Sequence, residues 1–67
     1  MKIFAERLKD LRMDENLSLD KLGEKIGVSG VAIGRWEKCE RIPNIENLVA
    51  LAKFFKVSAD YLVGLED

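Results

Sequence analysis

Two serines and one glycine set the tightest limit on how this chain can fold. Ser18 stands before "LDKLGEKI", Ser29 stands before "GVAIGRWEK", and Gly27 lies between the two segments. Serine is a preferred helix N-cap because its hydroxyl accepts a hydrogen bond from a backbone N–H that the first turn leaves unpaired. Asp20 falls in the first turn of the earlier segment, on the favourable side of the helix dipole. Gly27 reaches the positive φ that ends a helix without a steric penalty. A second start signal so soon after a stop demands two short helices joined by a tight turn. Isolated helices shorter than about 12–15 residues are marginal in water, so packing must hold both.

The apolar residues are spaced to supply that packing. Small Gly23 lets the two helices approach closely, while Leu22, Ile26, Val28, Ile33 and Trp36 line the corner. This pattern suits helices that cross at a steep angle. Trp36 is three residues from Ile33 and shares its face, which places the indole in the core and not on a surface that stacks on bases.

The rest of the chain also reads as helix. Phe4, Leu8 and Leu11 recur among Glu6, Arg7, Lys9 and Asp10, which predicts an amphipathic helix over about Lys2–Asp14, ended near Asn16. The corner helices are expected over about Leu19–Lys25 and from Ser29 to about Lys38. Asn44 caps a fourth, "IENLVALAKFF", with Leu48, Leu51, Ala52 and Phe55 inward, and "ADYLV" forms a fifth, stopped by Gly64. No strand alternation or repeat appears. The expected architecture is all-α, a compact five-helix bundle around a helix-turn-helix. Its expected core is Phe4, Leu8, Leu11, Leu22, Ile26, Val28, Ile33, Leu48, Leu51, Phe55 and Leu62.

Composition narrows the function. A chain of 67 residues buries only about 60% of its unfolded surface, which leaves little room for a deep cleft beside a core. Cys39 is the only cysteine and there is no histidine, so neither a disulfide within the chain nor a metal site is expected. No cofactor or small-molecule ligand is evident. The glycines lie in helix-turn-helix spacing, not in a phosphate-cradling loop after a strand, and no carboxylate pair has a plausible base beside it, so catalysis is not expected. No apolar run approaches the roughly 20 residues that span a membrane, and "MKIFAERLKD" lacks the apolar stretch of a signal peptide. A cytoplasmic protein, associated with the nucleoid, is expected. The net charge is −1 but uneven: Arg35, Lys38 and Arg41 cluster near Glu37 and Glu40, whereas Val57 to Asp67 has no basic residue. An anionic partner would meet a local basic patch.

The series "LR" (Leu11, Arg12), "GVS", "I–RWEK", "IP" and "LA–F–VS–DYLVG" follows in register from about Phe4 to Gly64. It resembles the helix-turn-helix domain of the phage repressor and Cro-like (Xre) family. The resemblance implies a single repressor-like DNA-binding domain over 1–67, with the motif at about 19–38. It also implies a transcriptional regulator of repressor type, bound to double-stranded DNA as a homodimer on a pseudo-palindromic operator, with the recognition helix 29–38 in the major groove. The base contacts it implies are Gly30, Val31, Ala32 and Arg35, and the phosphate contacts are Ser18, Leu19, Ser29, Lys38 and Arg41. It implies an ion pair between Arg12 and Glu37 that ties the first helix to the end of the third. Family repressors often carry a second domain after such an ending, and the sequence stops where a linker would begin.

Four positions depart from the family's pattern. Leu19 stands where the family usually has a glutamine that bonds a phosphate, so that anchor is missing. Gly30, Val31 and Ala32 offer no hydrogen-bonding side chain and are limited to apolar contact with a thymine methyl. Arg35 suits the O6 and N7 of guanine, and equally a phosphate. Gly34 stands where a polar residue is frequent. Cys39 stands where glycine or asparagine is common, and it is strained if that site is left-handed. Its thiol is either incidental or, beside Lys38 and Arg41, redox-responsive. Weak readout keeps an alternative open: a protein-interaction or antitoxin-like module on the same fold. Ile42, Pro43, Val63 and Leu65 form a candidate apolar patch, and with Tyr61 and Leu62 they are the expected dimer interface.

Overall fold

Every helix after the first starts on a side-chain cap, at Ser18, Ser29 and Asn44 as the sequence marks and at Ser58 as well. Ser18, Ser29, Asn44 and Ser58 each accept a hydrogen bond from the backbone N–H three residues on, at 3.1, 3.1, 2.8 and 2.9 Å. The computed structural model describes residues 2–67 and contains α1 (Lys2–Asp14), α2 (Leu19–Ile26), α3 (Gly30–Glu37), α4 (Ile45–Phe55) and α5 (Ala59–Val63), with no strand among the described residues. The expected boundaries hold to within a residue for α1, α2, α4 and α5. α3 closes at Glu37 with Lys38 as its cap. None of these helices is long and apolar enough to cross a membrane.

The core lies where the five helices meet. Phe4, Leu8, Leu22, Ile33, Leu51 and Leu62 are completely buried, and Ala5, Trp36 and Ala52 complete the interior. Burying each large side chain stabilises the fold by roughly 1.5–3 kcal/mol. Leu11, Ile26, Val28, Leu48 and Phe55, also expected inside, pack against this cluster but stay partly exposed. They sit toward its margins, and so small a bundle has more margin than interior. Leu62 was expected both in the core and at a dimer contact. Its complete burial keeps the first role and removes the second, because no partner chain can touch it.

α2 and α3 share the most extensive contact between helices. A Cβ on Gly23 would collide with the Val28 carbonyl oxygen and lie 3.2 Å from the Gly30 nitrogen, so the residue is small by necessity. Gly27 turns the chain with φ +81°, and its N–H donates to the Gly23 carbonyl at 2.8 Å. α1 is fastened at its middle and at its end. Arg12 joins it to α3, as described below. Arg7 donates to the carbonyls of Tyr61 and Glu66, and its guanidinium lies 4.2 Å from the centre of the Tyr61 ring. Sequence reading passed over Arg7, although a signal was there: it shares the face of Phe4, Leu8 and Leu11, where a cation must find partners.

Candidate nucleic-acid interface

α3 has two faces with opposite character. Gly30, Ile33 and Trp36 are buried. Val31, Gly34, Arg35 and Lys38 recur at i, i+3, i+4 and i+7 and form one outward stripe. Val31 is 65% exposed, so it is an apolar side chain offered to the surroundings.

The start of α2 crosses this stripe. A Cβ on Gly30 would collide with the Asp20 carboxylate and lie 2.9 Å from the Asp20 nitrogen, so α2 rests directly on the first turn of α3. Ser18, Leu19 and Asp20 then join the α3 stripe and Glu40 around an open groove of about 530 Å³. The groove has two cationic side chains, Arg35 and Lys38, and two acidic ones, Asp20 and Glu40. Its cations lie on the α3 side. At its other edge is the start of α2, where unpaired backbone N–H groups and the helix dipole favour an anion. The Ser18 hydroxyl accepts from the Lys21 N–H and keeps its own proton for an outside acceptor.

An ion pair holds α3 from behind. Arg12 Nε donates to Glu37 Oε2 at 2.7 Å and its Nη2 to Glu37 Oε1 at 3.0 Å, a two-pronged fit, while Nη1 donates to the Leu17 carbonyl at 2.8 Å. The side chains are only 14% and 8% exposed. The hydrogen bonds that Arg12 donates to Glu37 raise the Arg12 pKa, against a smaller opposing effect of burial. One guanidinium thus secures the end of α3, the end of α1 and the loop between α1 and α2.

A family model described as helix-turn-helix matches residues 8–62, most of the chain. The chain belongs to the helix-turn-helix family of phage repressors and Xre-like regulators. It is 43% identical over 61 residues to repressor protein C2 of Salmonella phage P22, covering 91% of this chain and 28% of that protein. It is 41% identical over 64 residues to the transcriptional activator BcrR of Enterococcus faecalis, covering 96% of this chain and 31% of that protein. The chain therefore spans about a third of the length of these relatives. The crystal structure of the P22 c2 repressor with a synthetic operator matches with a TM-score of 0.86 and 42% identity, covering 92% of this chain and 94% of that one.

On this family frame, the groove gathers Ser18, Leu19, Gly30, Val31, Arg35 and Lys38 from the residues named by the sequence. Ser29, Ala32 and Arg41 lie outside it. Ser29 is an exposed cap, and Arg41 is exposed beyond α3. Ala32 packs against the core cluster, and Gly30 is buried under Asp20. Expecting these two at base edges does not fit their positions, because α2 covers one and the interior claims the other. Asp20 and Glu40 were not anticipated in the groove. The crossing of α2 over α3 brings Asp20 there, and Glu40 arrives with the chain that leaves α3.

Cys39 has φ +63° and closes α3. Its N–H donates to the Trp36 carbonyl at 3.2 Å, and the Glu40 N–H donates to the Arg35 carbonyl at 2.9 Å. This paired closure is the Schellman motif, whose pivot is usually glycine. Among the residues expected at a dimer interface, Ile42 and Leu65 are exposed, Pro43 and Val63 are half-buried, and Tyr61 lies beneath Arg7. Ile45 and Val49, one turn apart on α4, are exposed as well and were not anticipated.

Proposed function

We propose that this chain is the sequence-specific DNA-binding domain of a transcriptional regulator of repressor type, acting as a homodimer on a pseudo-palindromic operator. The observation that carries this reading is the outward stripe of α3, bordered by the start of α2, on a frame close to that of a repressor solved with its operator. α3 enters the major groove. Arg35 meets the O6 and N7 of guanine, and Val31 contacts a thymine methyl. Ser18, the first-turn backbone at Leu19, Ser29, Lys38 and Arg41 contact phosphates, which set register and orientation. Arg12 and Glu37 hold the recognition helix at its angle. The reading is of binding and not of catalysis, in the cytoplasm at the nucleoid.

Ile42, Pro43, Val63 and Leu65, with the exposed part of Tyr61, form the dimer face, and exposed Ile45 lies just past Pro43 and Asn44. In the dimer the two copies of α3 are spaced about 34 Å apart, one turn of duplex.

Selection of bound sequences from random duplex DNA tests this function. The expected outcome is two inverted half-sites spaced by one helical turn. Affinity should fall by roughly 0.9 log units per phosphate contact for each tenfold rise in salt. An affinity that salt does not change, or no enriched sequence at all, overturns the reading.

A further inference from the structure

Four of the five glycines have a reason within the chain. Gly27 and Gly64 have φ of +81° and +86°, and a Cβ on Gly23 or Gly30 would collide with α2 or the turn after it. Gly34 has neither reason. It lies inside α3 with a negative φ, and a Cβ there would meet only Leu19 Cδ1, at 3.4 Å, which is ordinary contact. Glycine weakens a helix interior relative to alanine, so folding alone favours alanine at this position. Glycine does serve where a ligand must come close to the backbone, and Gly34 borders the groove.

We propose that Gly34 and Leu19 form a specificity-determining seat for the C5-methyl group of thymine, beside the base edge met by Arg35. The inference rests on the DNA-binding reading above. Leu19 is held in place because it packs on the core cluster, and its side chain has no hydrogen-bonding group. Bare Gly34 forms the floor, and exposed Val31 stands on the same stripe. In the major groove the thymine methyl is the apolar mark that separates this base from the others. Cytosine and adenine would set an amino donor against the Leu19 methyl groups, which cannot accept it. Arg35 and Lys38 on the same groove draw in the duplex that carries the methyl.

The test uses the selected duplex and versions in which each thymine of one half-site is replaced in turn by uracil, which lacks only the methyl. They are titrated with the natural chain and with Gly34→Ala and Leu19→Ala. At one position, uracil should weaken binding to the natural chain by about four-fold or more. Gly34→Ala should raise the melting temperature yet bind the thymine and uracil duplexes alike, and Leu19→Ala should lose most of the same preference. If the natural chain binds thymine and uracil duplexes equally, or if Gly34→Ala keeps the full preference, the seat is refuted while DNA binding stands. If no duplex is bound in a salt-sensitive way, the DNA-binding reading falls and the seat falls with it.

Discussion

The inner and outer faces of α3 and its cap are built under different rules. On the inner face, Gly30, Ile33 and Trp36 are each fixed by what they touch, and Glu37 by its ion pair. On the outer face, Val31, Gly34, Arg35 and Lys38 touch little of their own chain. The inner face can change only at the expense of the fold. The outer face can change freely, so what it contains reflects what it meets. Specificity can therefore vary on this frame without cost to stability, provided the inner face and the Arg12–Glu37 clamp stay intact.

The comparison breaks most sharply at the clamp. Glu37→Ala leaves the Arg12 guanidinium mostly buried without its partner, which costs about 3–5 kcal/mol. A domain of this length has only about 0.05–0.15 kcal/mol of stability per residue, so urea titration should find the midpoint of the variant sharply lowered. Replacing both partners with apolar residues should be far milder. The raised Arg12 pKa works in one direction only. Its contribution is complete below the ordinary arginine range and is lost only as pH climbs through the raised value. Mildly alkaline solution should leave the clamp untouched, and a stability loss there would mean that another group controls it.

Ile33→Ala comes next, at about 2–5 kcal/mol, because it leaves a cavity in the middle of the inner face. The measurement is again a denaturant midpoint. A loss below about 1 kcal/mol would mean that the helices collapse around the gap, and that the inner face is less strictly fixed than its burial suggests.

Arg35→Ala probes the outer face. Stability should stay within about 0.5 kcal/mol. Preference at one base pair should fall by about 1–3 kcal/mol if the side chain reads guanine. A uniform loss across all sequences, with the salt slope reduced by about one, would instead make Arg35 a phosphate contact, the role proposed for Lys38.

The two faces also differ in how far they can be read from sequence. The caps at Ser18, Ser29 and Asn44, the stop at Gly27 and the inward places of Ile33 and Trp36 follow from local spacing and hydrogen-bonding chemistry. The Arg12–Glu37 pair came from family resemblance, since nothing local joins residues on different helices. What stayed hidden depends on how α2 lies across α3. Gly30 is under Asp20, Ala32 faces the interior, and Leu19 lies over Gly34. In the sequence, Leu19 and Gly34 are two unrelated departures from the family pattern. In the fold they lie side by side and become one feature of the groove.

Cys39 lies where both faces of α3 end, and it should give the smallest effect. Its φ of +63° is left-handed, a conformation that costs a residue with a Cβ roughly 1–2 kcal/mol. Glycine removes that penalty but has more freedom to lose on folding, which returns about 0.4–1 kcal/mol. Cys39→Gly should therefore stabilise the domain by no more than about 1.6 kcal/mol, measured as a small rise in denaturant midpoint. Val at the same site should destabilise, because a β-branched side chain tolerates this conformation least. Neither change touches the groove lining, so base preference should be unaltered in both. If Cys39→Gly shifted operator preference, the end of α3 would be steering Arg35 and Lys38, and the two faces would not be independent.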